Sequence, residues 1–232
     1  MRLLISAVCA LAFCLSASGT WADSIAIQNP SFEITNALNQ PCVGSMNCFN
    51  SGLAIPGWSS PAGGFGSFAP TFAYFSLPLP DGSIVAYTNG GGPLSQTLAG
   101  ISLLPNSFYT LSVDVGRRLD VIAANYSLNL LDGSSVFCTS GSNSNGSITA
   151  GTFADITLTC ATGATVPGGF LGIELTGDGR QINFDNVQLD VTTSTVSTPE
   201  PSVLALTFVG LLMGGLLFMR SRRNQYLQSA SS

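Results

Sequence analysis

Between residues 23 and 191 apolar and polar side chains alternate instead of recurring at helical spacing. The clearest run is Tyr109-Thr110-Leu111-Ser112-Val113-Asp114-Val115, whose period of two puts Tyr109, Leu111, Val113 and Val115 on one face of a strand. Tyr126, Leu128 and Leu130 alternate with polar neighbours in the same way, as do Ile156, Leu158 and Cys160, while Leu171, Ile173 and Leu175 surround Gly172 and Glu174. Earlier strands are predicted at 24–28, 54–59, 71–76, 84–88 and 94–98. Turn chemistry separates the runs: Pro80-Asp81-Gly82, Asn89-Gly90-Gly91-Gly92-Pro93, Asp132-Gly133 and Gly177-Asp178-Gly179. Short strands with one buried face predict one all-β domain over 23–191, an antiparallel sandwich of two sheets. A domain of this size buries about two-thirds of its unfolded surface, enough for a core.

Long apolar runs occur only at the two ends. Arg2, an apolar stretch over 3–15 and small residues over 16–22 read as a signal peptide of residues 1–22, with the mature chain starting at Asp23. Near the other end, residues 203–219 carry no charge for 17 residues and are followed by Arg220, Arg222 and Arg223. This predicts a single transmembrane helix, oriented by those arginines with the basic tail 220–232 in the cytoplasm and the domain outside. Residues 192–202 form a Thr/Ser/Pro linker between domain and helix.

Export changes the reading of the cysteines. Cys42, Cys48, Cys138 and Cys160 remain after signal cleavage, and four cysteines in an oxidising compartment allow three pairings. Pairing by nearness in sequence favours Cys42 with Cys48 and Cys138 with Cys160. Eleven carboxylates against Arg117, Arg118 and Arg180 leave the exported region at a net charge of −8, which repels phosphate backbones and excludes nucleic acid as a partner. The whole chain lacks histidine and lysine. With the thiols paired, the usual general bases and nucleophiles are missing, so the expectation is a protein that is not an enzyme.

Pro199-Glu200-Pro201, the short glycine-containing apolar helix and the terminal arginines together resemble the PEP-CTERM sorting signal. That resemblance implies export by signal peptidase and the Sec machinery, recognition by an exosortase, and delivery to the cell surface or extracellular matrix. A second resemblance spans the domain: Asn29-Pro30-Ser31-Phe32-Glu33 near its start, Ile55-Pro56-Gly57-Trp58, and Asp185-Asn186-Val187-Gln188-Leu189 at its end. These are similar to galactose-binding-domain-like jelly rolls, carbohydrate-binding modules among them. The resemblance implies a jelly-roll sandwich with its first and last strands side by side, and a structural calcium ion held by Glu33 and Asp185. Asp185 shares strand parity with Val187, Leu189 and Val191 and is expected to point toward the core.

Trp58 reads as a core anchor. Phe65, Phe68, Phe72, Tyr74 and Phe75 fall within eleven residues, and of these Phe68, Phe72 and Tyr74 are the candidate ligand platforms. The functional expectation is a surface protein with a carbohydrate-binding sandwich, partnered by polysaccharide. The alternative is a purely structural protein of an exopolysaccharide or biofilm matrix.

Overall fold

In the computed structural model, residues 22–34, 48–51, 55–60, 64–90, 92–193, 207, 209–215 and 219–220 are described. Residues 20–194 form one compact unit and residues 1–19 with 195–232 another. In the second unit the described residues are helical. Among all the described residues no helix is long and apolar enough to cross a membrane. Residues 203–206, 208 and 216–218 of the 203–219 span, almost all of the signal peptide, Pro199, Glu200, Pro201, Arg222 and Arg223 lie outside the described residues, whereas Arg220 lies within a described helical pair.

The first unit is a sandwich of two sheets, as the alternation predicts. Its strands are β1 (Asp23–Ser24), β2 (Cys48–Ser51), β3 (Phe65–Ala69), β4 (Val85–Thr88), β5 (Leu94–Ser102), β6 (Ser107–Arg117), β7 (Asn125–Asp132), β8 (Ser135–Thr139), β9 (Asn143–Ser144), β10 (Thr152–Ala161), β11 (Phe170–Asp178) and β12 (Ile182–Thr193). The larger sheet runs β10-β6-β12-β4-β3-β2 with β1 beside β12, and the smaller runs β5-β11-β7-β8 with β9 beside β7. Every pairing between these strands is antiparallel. The first and last strands do meet, Asp23 opposite Val191.

Leu111, Val113 and Val115 of β6 and Phe184, Val187 and Leu189 of β12 face Leu128, Leu130, Leu171, Ile173 and Leu175 of the smaller sheet in one continuous core. Trp58 is buried in it, as expected, and its indole N–H donates to the Asn29 carbonyl at 3.0 Å. Cys138 of β8 and Cys160 of β10 are bonded, so the disulfide joins an edge of one sheet to an edge of the other. The expected Cys42–Cys48 bond falls outside the described residues.

Three expectations need correction. The pattern predicts strands at 54–59 and 71–76, but Pro56 and Gly57 form a turn and 72–74 another. The third concerns Asp185. A bulge interrupts the register of β12 between Asp185 and Gln188, with Asn186 at φ 48°. Phe184 and Val187 therefore both reach the core, and Asp185 points to the opposite face of the larger sheet.

Candidate functional site

That opposite face is where the unusual chemistry gathers. All four residues of β4 are buried, which an edge-exposed strand would not show. Ala86 belongs to the main core, whereas Val85 and Tyr87 form a second apolar cluster with Phe68, Phe75 and Leu79, against which Tyr74 and Phe153 pack. Burying side chains of this size contributes about 1.5–3 kcal/mol each. The rings touch in defined geometries: Phe75 and Phe153 lie 4.6 Å apart and tilted by 32°, and Phe68 meets Tyr74 and Tyr87 edge-on at 6.0 and 5.9 Å. Phe153 lies flat because its cross-strand neighbour is Gly116, where an added Cβ would come within 2.5 Å of the ring.

Arg118, just past β6, closes one end of the cluster. Its guanidinium stands 4.3 Å over the Tyr74 ring and 5.8 Å from the Phe68 ring. It is held there by Asp120, through bonds of 2.8 and 2.5 Å, and by the Gln181 side-chain oxygen at 2.6 Å. The same bonds to Arg118 hold the Asp120 carboxyl below its ordinary value.

Asp185 sits on this face with no surface exposure. It lies opposite Asp114, which lies opposite Asp155, so three carboxylates stand in a row across β12, β6 and β10. Its oxygens accept the backbone N–H groups of Asp81 at 3.1 Å and of Asn186 at 2.8 Å. Burial raises its pKa from 3.8 to about 7, with the Asp114 and Asp81 charges adding to the rise and the two amide bonds opposing it. Asp114 is raised as well, by burial first and by Asp155 last, although Asn186 donates to it at 3.0 Å.

The turn over Asp185 is gripped from two sides. Glu33 Oε1 accepts the N–H groups of Ser83 and Ile84 at 2.7 and 2.6 Å, while Ser31 donates its hydroxyl to Asp81 at 2.5 Å. Gly82 has φ +63°, and a Cβ there would overlap the Glu33 carboxylate. The structure thus brings Glu33 and Asp185 to one turn but onto different amides. Both Asp185 oxygens and Oε1 of Glu33 face N–H donors, and among the described residues no group of three or more His, Cys, Asp or Glu side chains is placed to hold a metal ion.

The three candidate platforms also separate. Phe68 is 1% exposed and belongs to the second cluster, so it offers no ring to solvent; Tyr74 is half-buried under Arg118, and Phe72 is 73% exposed. Residues that local sequence does not mark are Tyr87, Phe153, Asp114 and Arg118. Only the strand parity shared by Asp114 with Gly116 could have placed any of them on this face.

The HpiC1-like family model, described as HpiC1 cyclase, matches residues 23–190. The chain belongs to the HpiC1-like family. No curated protein matches it in sequence. Among solved structures, the Stig cyclase Fisc from Fischerella sp. TAU in complex with (3Z)-3-(1-methyl-2-pyrrolidinylidene)-3H-indole is 28% identical, covers 74% of this chain and 98% of its own, and superposes with a TM-score of 0.58. A cyclase from Fischerella sp. TAU in complex with 4-(1H-indol-3-yl)butan-2-one is 27% identical over 75% of this chain and 100% of its own, with a TM-score of 0.57. An apo cyclase from Fischerella sp. gives 26%, 73%, 96% and 0.59.

Membership of a cyclase family overturns the expectation that the protein is not an enzyme. That expectation rests on the lack of histidine, lysine and free thiols, which hydrolytic and acyl-transfer chemistry needs. A carboxyl group can also serve as a general acid, so the lack of those groups does not exclude an enzyme.

Proposed function

We propose that this HpiC1-like protein is a cyclase that closes a ring on an apolar substrate bearing an indole, with Asp185 as the proton donor. The observation that carries the reading is the state of Asp185. It is a completely buried carboxyl beside an aromatic cluster, with its pKa raised to about 7 and no cationic group among the causes of its shift. Such an acid is about half protonated near neutrality and regains its proton readily, the match of pKa to working pH that general acid catalysis favours. The indole comes from the ligands named with the Fischerella cyclases.

In the step proposed, the Asp185 O–H protonates an alkene carbon of the substrate and leaves a carboxylate. A neighbouring π bond supplies the electron pair for the new ring bond. The cation that results loses a proton, which returns to Asp185, so substrate and product are isomers. The aromatic faces of the cluster stabilise the cation. Incubation of the purified protein with indole-bearing alkenes is expected to yield an isomer of unchanged mass in ordinary water and one mass unit heavier in deuterium oxide. Cyclised product without deuterium would reject Asp185 as the source of the proton.

Calcium is the rival occupant of the same turn, since an ion ligated by Asp185 would hold it ionised and remove its proton. Carbohydrate binding keeps Phe72 as the one fully exposed ring of its three, and we take it as the weaker reading.

We also propose that the domain works outside the cytoplasm, delivered through signal peptidase, Sec and an exosortase acting at Pro199-Glu200-Pro201. Intact-mass analysis of the protein extracted from cells is expected to show loss of residues 1–22 and of the segment after the motif. A full-length mass would refute the delivery.

A further inference from the structure

The acid proposed above has no route to a substrate in this arrangement. One segment, residues 70–84, lies over both Asp185 and the aromatic cluster: Phe75 and Leu79 fill the cluster, and the Asp81 N–H caps the carboxylate. This segment contains turns and bends but no strand or helix. It also carries apolar side chains on its outside, Phe72 at 73% and Leu77 at 40% exposure, while Phe75 is completely buried beneath. Among the described residues two backbone hydrogen bonds tie residues 71–79 to the rest of the domain, while the following turn is held by Glu33 through Ser83 and Ile84. Ser76 N–H donates to the Gly151 carbonyl at 2.7 Å and Leu119 N–H donates to the Tyr74 carbonyl at 3.0 Å. The Tyr74 and Phe75 N–H groups are spent within the segment, on the Thr71 carbonyl.

We infer that residues 71–79 are a displaceable plug, and that the niche now filled by Phe75 against the Phe153 ring is the seat for the planar aromatic ring of a substrate. The inference rests on the cyclase reading of this face. The Phe75–Phe153 contact, 4.6 Å between centroids at 32°, is the contact an indole would make with Phe153 in its place. Displacement of Phe75 opens the niche on the face that carries Asp185, and uncovering the acid itself further requires release of the turn at 81–84 from Ser31 and Glu33. A ligand that must wait for the plug to leave binds with an affinity reduced by the fraction of molecules already open.

Removing the plug's ring therefore raises affinity. The test is calorimetric titration of the full chain with 4-(1H-indol-3-yl)butan-2-one, comparing wild type, Phe75→Ala and Phe75→Ala with Phe153→Leu. Phe75→Ala is expected to bind at least about tenfold more tightly than wild type, and Phe153→Leu is expected to return the affinity to the wild-type level. Equal or weaker binding by Phe75→Ala overturns the plug. So does a gain that survives loss of the Phe153 ring, because that gain would belong to any cavity. Phe75→Leu keeps the cluster filled without a ring and is read if Phe75→Ala does not fold; a several-fold gain supports the plug and no gain overturns it. Turnover is read separately from affinity on the same proteins, so a failure of the acid appears in turnover and a failure of the plug in affinity.

Discussion

Replacing Asp185 with Asn is expected to slow ring closure by at least about a hundredfold, the usual contribution of a positioned general acid. The same change is expected to remove most of the dependence of stability on pH. Folded Asp185 releases its proton at about pH 7, and its ordinary value is 3.8. Between those values the folded protein holds a proton that the unfolded chain has lost. Stability contributed by this group is therefore complete below about pH 4 and declines as pH rises to 7, by on the order of 4 kcal/mol in all. Asp114 is raised and acts in the same direction, while Asp120 is lowered and acts against it. The amide introduced by Asp185→Asn would keep one acceptor oxygen for two backbone N–H groups, and leaving the second unmatched costs about 1–3 kcal/mol at every pH. The variant should thus melt below wild type at pH 4 and at or above it at pH 8. Parallel melting curves across that range would show that Asp185 is ionised throughout, and would remove the proton donor from the mechanism.

Breaking the disulfide is expected to have the largest effect on stability alone. Cys138 and Cys160 are 22 residues apart and tie β8 to β10, edge strands of different sheets. Closing a loop of that length stabilises the folded state by about 3 kcal/mol through the entropy of the unfolded chain. In a domain of this size that corresponds to a melting temperature lower by about 10 °C. The double variant Cys138→Ala, Cys160→Ala and the reduced wild type should fall together. A shift below about 2 °C in both would mean that the two sheets are held by their shared core and not by the bond.

The sandwich is legible in sequence because β-structure writes its period into the side chains. Tyr109–Val115 falls inside β6, and the alternations at Tyr126, Ile156 and Leu171 fall inside β7, β10 and β11. Residues 71–76 mislead because their aromatic content imitates a strand, although Phe72 stays exposed and Phe75 is buried by a turn folded over a sheet. Composition records that such side chains are buried, not by which backbone. Asp185 misleads for a different reason. Counting alternate residues assumes an unbroken strand, and the bulge at Asn186 reverses the parity on its N-terminal side.

The site itself is made by contacts between distant segments. Asp185 meets Asp81 across 104 positions and Arg118 meets Gln181 across 63. No local motif marks either pair. The raised pKa of Asp185 is likewise a product of burial, which nothing in the local sequence distinguishes from the chain's other carboxylates.

The most direct measurement is a carbon-13 NMR titration of the Asp185 carboxyl in the folded protein, with and without EGTA. Protonation with a midpoint near pH 7, unchanged by the chelator, is the result expected of a buried acid ready to donate. A midpoint below 5, or one that rises only when calcium is stripped away, would identify a carboxylate that is ionised or metal-bound at neutrality, and would contradict the account.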